Sequence, residues 1–144
     1  MSPASPRRRA PLRLAFLAAA LALAAPSATP AAAQFCRIAR VVDGDTLRLD
    51  CGGTREIRAR LMGFDTPETH RPRCAAERRA GEAATERLSR LIGRATAARI
   101  AFEGTDRYGR ALTRLWLDGR DVATLMVEAG LARPYGGGRR EGWC

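Results

Sequence analysis

The sequence has 144 residues, with 25 basic and 15 acidic side chains and a formal net charge of +10. All 25 of these basic residues are arginines. A chain of this length holds one small domain rather than several. The arginine excess is compatible with an anionic partner such as nucleic acid, because a guanidinium group pairs with a phosphate through two hydrogen bonds.

Residues 1–33 have the layout of a secretory signal peptide. Residues 1–13 contain four arginines and no acid, residues 14–25 form an apolar run, and residues 31–33 offer small side chains for cleavage before Gln34. The apolar run of 12 residues is too short to span a membrane comfortably, although a retained anchor is the alternative. We therefore predict a secreted or periplasmic protein whose mature domain is residues 34–144, with a net charge of 21 − 15 = +6.

Four cysteines lie in the predicted mature part: Cys36, Cys51, Cys74 and Cys144. An even number of cysteines in an exported chain favours two disulfides, for which three pairings are possible. We favour Cys36–Cys51, because a hairpin that turns at Gly44 brings these positions opposite each other, and this choice leaves Cys74–Cys144. A zinc site is the alternative, although the sequence has no Cys-x-x-Cys pair.

The first half of the mature chain predicts a β-meander. Short β-type runs at residues 35–42 and 46–50 flank Asp-Gly-Asp, a strong hairpin signal. A third run at 56–64 alternates, which places Arg58 and Arg60 on the opposite face from its apolar residues.

The second half adds two helices and two or three strands. Apolar residues at helical spacing predict a helix over 75–92, with Gly93 as a stop. Strands are predicted at 99–102 and 110–117, and a helix capped by Asp121 at 122–129, with one further short strand at 131–135. The order β-β-β-α-β-β-α predicts an α+β, mainly β fold: a five-stranded OB-type Greek-key barrel with two helices.

Acidic residues concentrate at the predicted strand ends. Asp45 leaves the hairpin turn and Asp65 ends the third run, so neighbouring strands can aim both carboxylates at one point. Two carboxylates, a backbone carbonyl and water form an adequate site for a hard cation. The alternative is that Asp43 and Asp45 only form the turn, as Asp-Gly pairs often do.

Two arginines and a third acid fit phosphate chemistry beside such a cation. Arg60 and Arg110 arrive on separate strands and could clamp a phosphodiester and stabilise its transition state. Glu68 is the candidate for orienting or deprotonating water. Surface salt bridges are the alternative for each of these residues taken alone.

Four motifs together resemble the thermonuclease family of staphylococcal-nuclease-like domains. They are Val-Asp-Gly-Asp-Thr-Leu from Val42, Arg-Ala-Arg-Leu-Met-Gly-Phe-Asp-Thr-Pro-Glu from Arg58, Asp-Arg-Tyr-Gly-Arg from Asp106, and Met-Val-Glu-Ala-Gly-Leu-Ala-Arg from Met126. Their order and spacing match that family across most of the mature chain. The resemblance implies a Ca²⁺-dependent endonuclease that acts on DNA and RNA, leaves 3′-phosphate ends and uses an OB-type barrel.

The resemblance also implies a role for each matched residue. Asp45 and Asp65 resemble the calcium carboxylates, Thr66 adds its backbone carbonyl, and Asp43 lies behind them. Arg60, Glu68 and Arg110 resemble the catalytic residues. Arg107 and Tyr108 stand where the family contacts the terminal phosphate, and Tyr135 is a further candidate substrate contact. The family archetype continues into a third helix, whereas this sequence stops at Cys144 soon after the second.

The sequence is also compatible with two functions other than a nuclease. A barrel of this type could bind single-stranded nucleic acid or a protein segment without chemistry, or it could be an exported structural domain. We expect a monomer with no membrane contact after signal cleavage. His70 is expected to be an exposed loop residue, Trp116 to lie in the core or on the barrel surface, and Trp143 to pack the tail down.

Overall fold

The computed structural model describes residues 35–144, so the predicted signal peptide lies outside the described residues. The elements in chain order are β1 (Arg37–Asp43), β2 (Thr46–Asp50), β3 (Ile57–Leu61), β4 (Gly63–Asp65), α1 (Ala75–Arg94), β5 (Ala98–Thr105), β6 (Ala111–Leu117), β7 (Arg120–Asp121), α2 (Val122–Glu128) and β8 (Arg133–Tyr135). None of the helices in this part of the chain has the length and apolar character needed to cross a membrane.

Five strands form the main sheet in the order β1-β2-β3-β6-β5, and the short β7 pairs with β6. The β3–β6 pair is parallel and the other pairs are antiparallel. Strands β4 and β8 form a separate antiparallel pair. The prediction of a mainly β, OB-type fold with two helices is confirmed, but the sheet of the described residues is open because β1 and β5 do not pair.

The core fills the space between the sheet and the two helices. The residues of β6 alternate between buried and half-buried because successive side chains of a strand point to opposite faces. The largest fully buried side chains are Leu47, Leu49, Leu61, Phe64, Leu88, Leu115, Val122 and Met126. Burying each such side chain stabilises the fold by about 1.5–3 kcal/mol. Helix α1 packs against β1, and α2 packs against β6. The buried side chains between these elements therefore hold the strands in place.

The third predicted strand, residues 56–64, is two strands in the structure. The chain leaves β3 after Leu61 and turns at Gly63, whose φ of 94° favours glycine. The Met62 N–H donates to the Thr113 carbonyl at 2.8 Å. As a consequence β4 turns away from the main sheet and pairs with β8, which places Asp65 opposite Arg133.

Several element boundaries also differ from those that the sequence predicts. Helix α1 continues through Gly93 to Arg94, because its C-terminal cap is Ala95. Strand β5 runs to Thr105 rather than ending at Phe102, and the shift in register between Phe102 and Gly104 accommodates the extra length. Strand β8 is confined to Arg133–Tyr135.

The structure contains two disulfides, Cys36–Cys51 and Cys74–Cys144. The first joins the outer ends of the β1–β2 hairpin, next to the paired residues Arg37 and Asp50. The second connects the N-terminal cap of α1 to the last residue of the chain. It therefore brings residues 136–144, called the tail below, back to the domain.

Candidate active site

Arg60 lies at the point where three strands of the sheet meet. It pairs with Thr46 of β2 and with Leu112 of β6. The Leu61 N–H donates to the Asp45 carbonyl at 2.8 Å, so the turn residue Asp45 lies beside the end of β3. This register brings the buried Arg60 side chain to the carboxylate of Asp45, with Nη1 and Oδ2 2.6 Å apart.

Arg60 also binds the second acid of the predicted metal pair. Its Nη2 lies 3.2 Å from Asp65 Oδ1 and donates to the Phe64 carbonyl at 3.2 Å. Asp45 and Asp65 are both buried, and the guanidinium connects them. The two carboxylates predicted to share one metal site therefore both contact one guanidinium group, that of Arg60.

The carboxylate of Asp45 is held by further hydrogen bonds. The Thr66 backbone N–H and hydroxyl donate to its Oδ2 at 3.4 and 3.2 Å, and the Thr46 hydroxyl donates to its Oδ1 at 3.0 Å. Burial raises the pKa of Asp45 from 3.8 to about 6; the Arg60 guanidinium opposes this shift, whereas Asp43 and Asp65 add to it. The Arg60 guanidinium therefore offsets only part of the cost of burying the ionised Asp45 carboxylate.

The turn before Asp45 fits closely against the site. Asp43 Oδ1 accepts a hydrogen bond from the Asp45 N–H at 3.1 Å. Asp43 therefore stabilises the turn that presents Asp45. A Cβ atom on Gly44 would approach Thr66 Oγ1 to 2.7 Å and the Ala84 Cβ to 2.9 Å. Only glycine lets the hairpin turn, the 66 loop and α1 meet at this distance.

These residues fit a hard dication such as Ca²⁺. Asp45 and Asp65 are oxygen ligands of the kind such an ion prefers, and Thr66, whose backbone N–H donates to Asp45, is the residue that would supply its carbonyl as a third oxygen. Within residues 35–144 no cluster of three acidic, histidine or cysteine side chains surrounds a single point, so water would complete the shell.

Arg110 is held by the loop between β5 and β6. Asp106 accepts from the Tyr108 and Arg110 N–H groups, each at 2.9 Å, and from Arg110 Nε at 2.8 Å. Burial favours the neutral acid, but these hydrogen bonds outweigh it and hold the pKa of Asp106 below its ordinary value. The Arg110 side chain is thereby fixed through Nε.

The predicted catalytic residues and substrate contacts line a cavity of about 700 Å³, called the arginine-lined cavity below. It is lined by Arg58, Arg60, Met62, Glu68, Asp106, Arg107, Tyr108, Arg110, Leu112, Tyr135, Gly138 and Arg140. All three predicted catalytic residues and all three predicted substrate contacts are in this set. Asp65 and Thr66 line a smaller adjoining cavity of about 140 Å³, which shares Glu68 and Arg140 with the larger one.

The predicted substrate contacts lie at the rim of the arginine-lined cavity. Arg107 Nη2 donates to the Tyr108 hydroxyl at 2.8 Å, and the Tyr108 ring is exposed. Tyr135 ends β8 opposite Gly63, and its hydroxyl donates to the Gly138 carbonyl at 2.7 Å. An exposed ring and a partly exposed one at the mouth of a cationic cavity are suited to stacking on bases.

Arg140 is a site residue that none of the sequence motifs indicates. Arg140 lies 3.2 Å from Asp65 Oδ1 and 3.4 Å from Glu68 Oε1. Trp143 Nε1 donates to Asp65 Oδ2 at 3.4 Å, and Arg133 stacks on its ring at 3.7 Å. The only sequence signal for this arrangement is the pair of cysteines that closes the tail onto α1.

Two other residues lie where the sequence suggests. His70 is exposed in the loop before α1. Trp116 is half-buried on β6, and the Arg99 guanidinium lies 3.5 Å from its ring centroid. Neither lines the arginine-lined cavity.

More than half of the chain, residues 58–141, matches the protein family described as staphylococcal nuclease homologue. The chain belongs to the staphylococcal nuclease family. The resemblance seen in the four motifs is confirmed. The matched region contains Arg60, Asp65, Glu68 and Arg110 of the site.

Similar proteins are named as nucleases. The chain is 33% identical over 107 residues to the thermonuclease of Staphylococcus intermedius, which covers 74% of this chain and 63% of that protein. It is 33% identical over 97 residues to endonuclease YncB of Bacillus subtilis, covering 65% of this chain and 44% of that protein. An uncharacterized endonuclease of Haemophilus influenzae is 31% identical over 100 residues, covering 69% and 52%. The chain thus spans about half to two thirds of the length of these relatives.

Proposed function

We propose that the protein is an exported, Ca²⁺-dependent nuclease that hydrolyses phosphodiester bonds of DNA and RNA. The proposal includes internal cleavage that leaves 3′-phosphate ends. One observation supports it most: Arg60 connects two buried carboxylates at the edge of a cavity lined by further arginines. The names of the relatives, thermonuclease and endonuclease, support the same reaction class.

In this proposal Asp45, Asp65 and the Thr66 carbonyl hold the calcium ion. When bound, Ca²⁺ would supply positive charge at the scissile phosphate. Asp43 keeps the turn in place through its bond to the Asp45 N–H.

Glu68 is the proposed general base. It accepts a proton from the attacking water, whose oxygen bonds to phosphorus while the bond from phosphorus to the 5′ oxygen breaks. The departing 5′ oxygen takes up a proton from solvent water, and the 3′ side keeps the phosphate. Glu68 suits this role because its side chain is half exposed on the wall of the arginine-lined cavity, where water can reach it.

Arg60 and Arg110 are the proposed transition-state donors. The pentacoordinate phosphorane carries more negative charge than the ground state, and guanidinium groups presented by β3 and by the residue just before the neighbouring β6 can stabilise it. Arg60 is fixed by Asp45 and Asp65, and Arg110 by Asp106. Arg107 and Tyr108 would contact the terminal phosphate, and Tyr135 a neighbouring nucleotide.

The experiment is a cleavage assay of the oxidised protein on single-stranded DNA and on RNA, with calcium or with EGTA. We expect cleavage only with calcium, and product ends that a polymerase extends only after phosphatase treatment. Arg110→Ala should slow cleavage about 100- to 1,000-fold, whereas Arg120→Ala, which removes an arginine from an exposed pair with Glu128, should not. Oligonucleotide binding without cleavage would instead show a binding module.

Export and a monomeric state are parts of the proposal that need their own tests. The two disulfides support an oxidising compartment. Mass spectrometry of the protein recovered from its cells would locate the predicted cleavage after Ala33. Size-exclusion chromatography with light scattering would give the oligomeric state.

A further inference from the structure

The tail folds back over the proposed catalytic acids instead of extending into solvent. Its path is fixed by three contacts, namely the Tyr135–Gly138 hydrogen bond of 2.7 Å, the Arg133–Gly142 hydrogen bond of 2.9 Å and the Cys74–Cys144 disulfide. Because these contacts lie before and after Arg140, the position of its side chain is set by the fold.

The Arg140 guanidinium is shared between Glu68, which lines the arginine-lined cavity, and Asp65, which lines the smaller adjoining cavity. Its Nε lies 3.2 Å from Asp65 Oδ1, and its Nη1 lies 3.4 Å from Glu68 Oε1. The same Asp65 oxygen already accepts from Arg60 Nη2 at 3.2 Å. Arg140 therefore places a second guanidinium beside Arg60 on the wall of the arginine-lined cavity.

A contribution to stability alone does not account for this placement. The side chains of Arg140 and Glu68 are 36% and 51% exposed, and an ion pair in water at this exposure contributes little to folding. The Asp65 carboxylate has Arg60 as a buried partner without it. A guanidinium held at this place is, however, well suited to a phosphate, which it can bind through two parallel hydrogen bonds.

We propose that Arg140 is a further phosphate-binding arginine of this site, beside Arg60, Arg107 and Arg110, presented by a disulfide-anchored tail that forms one wall of the substrate groove. This inference rests on the proposed nuclease function. An entering phosphodiester exchanges places with the Asp65 and Glu68 carboxylates on Arg140. The exchange releases Glu68 Oε1 from the guanidinium, so the general base becomes available when substrate is bound.

The test measures binding of a fluorescent single-stranded oligonucleotide in EGTA, so that cleavage does not interfere. Arg140→Gln is compared with Arg139→Gln, which removes the same charge from an exposed neighbour outside the arginine-lined cavity. From about 50 to about 200 mM salt, Arg140→Gln should lower the slope of log affinity against log salt by about 0.7. At the lowest salt it should weaken binding about tenfold. Equal slopes for the two variants, or tighter binding by Arg140→Gln, would overturn the proposal.

Kinetics with calcium separate this role from a blocking one. If Arg140 binds substrate, Arg140→Gln raises KM about tenfold and changes kcat by less than about threefold. If Arg140 only covers the acids, the variant raises kcat and leaves KM unchanged, which contradicts the proposal. A wild-type protein that binds the oligonucleotide but does not cleave it would refute the proposed nuclease function. The salt slopes would then still test whether Arg140 binds phosphate.

The role of the disulfide is tested by the double variant Cys74→Ser, Cys144→Ser. Without the disulfide, the slope of log affinity against log salt should fall to that of Arg140→Gln. Adding Arg140→Gln to the double cysteine variant should not lower this slope further. A double variant that remains folded by circular dichroism and keeps the wild-type slope would show that the anchored tail is not needed. Arg140→Gln alone keeps the disulfide, so its result does not depend on the folding of the double variant.

Discussion

Replacing Arg60 by alanine should destabilise the protein far more than replacing a surface arginine. The side chains of Arg60, Asp45 and Asp65 are 6%, 6% and 8% exposed, so removal of the guanidinium leaves two buried carboxylates near each other. Breaking a buried ion pair in this way costs about 3–5 kcal/mol. The matched control is Arg114→Ala, whose 2.7 Å ion pair with Glu103 is 39% exposed on both sides. An exposed pair contributes about 0–1 kcal/mol.

The assay is denaturant unfolding of wild type, Arg60→Ala and Arg114→Ala in EGTA, followed by circular dichroism. We expect Arg60→Ala to lower the free energy of unfolding by at least about 2 kcal/mol more than Arg114→Ala. Added calcium should recover part of the loss, because the ion replaces the missing positive charge. Equal losses in the two variants would refute the assignment of Arg60 as the charge that holds the two acids together.

The loss of stability caused by Arg60→Ala should depend on pH, because Asp45 titrates within the accessible range. Asp45 titrates near 3.8 when unfolded and at about 6 when folded, so between these values the folded state binds more protons. Its contribution to stability is therefore greatest at low pH and decreases as pH rises through the folded pKa. Without Arg60 the pKa should rise further. The Arg60→Ala deficit should accordingly be larger at about pH 7 than at about pH 5.

Three further predictions concern α1, calcium and the hairpin disulfide. Gly81→Ala should lower the free energy of unfolding by about 1–3 kcal/mol, because its Cβ would approach the Pro67 carbonyl to 2.7 Å. Gly93→Ala, on the same helix, would place a Cβ with nothing within 4 Å, and it should raise the free energy of unfolding by about 0.5–1 kcal/mol. Melting temperatures that shift in the same direction for the two glycine variants would contradict this. Calcium affinity measured by calorimetry should fall up to about tenfold per pH unit below the Asp45 pKa, since protons compete for that carboxylate; an affinity independent of pH would argue against Asp45 as a ligand. Replacing both Cys36 and Cys51 by serine should cost about 3 kcal/mol in urea unfolding, because their separation is 15 residues, and an unchanged midpoint would contradict this.

The parts of the fold that local patterns determine could be predicted from the sequence. The alternation of β6, the Asp-Gly-Asp hairpin and the Asp121 cap of α2 each depend on neighbours in the chain. The break at Gly63 could not be predicted, because the alternation of 56–64 continues through it. Only the pairing of β4 with β8, about seventy residues later, accounts for the turn.

The candidate site shows the same division between local and long-range information. Arg60 and Asp65 share one stretch of sequence, and Arg110 follows its partner Asp106 by four residues, so their motifs are visible. Arg140 is not part of any such motif. It reaches Asp65 because the tail is closed by a disulfide between cysteines 70 residues apart, and no local pattern reports such a contact.

The most direct test of the central claim is calcium-dependent cleavage of single-stranded DNA by wild type, Glu68→Gln and Glu82→Gln. Both glutamates are exposed and ion-paired, with Glu68 51% and Glu82 63% exposed, so neither substitution should disturb folding. We predict that Glu68→Gln lowers kcat about 100- to 10,000-fold, while Glu82→Gln matches wild type. Full activity in the Glu68 variant, or wild-type cleavage that persists in EGTA, would contradict the account.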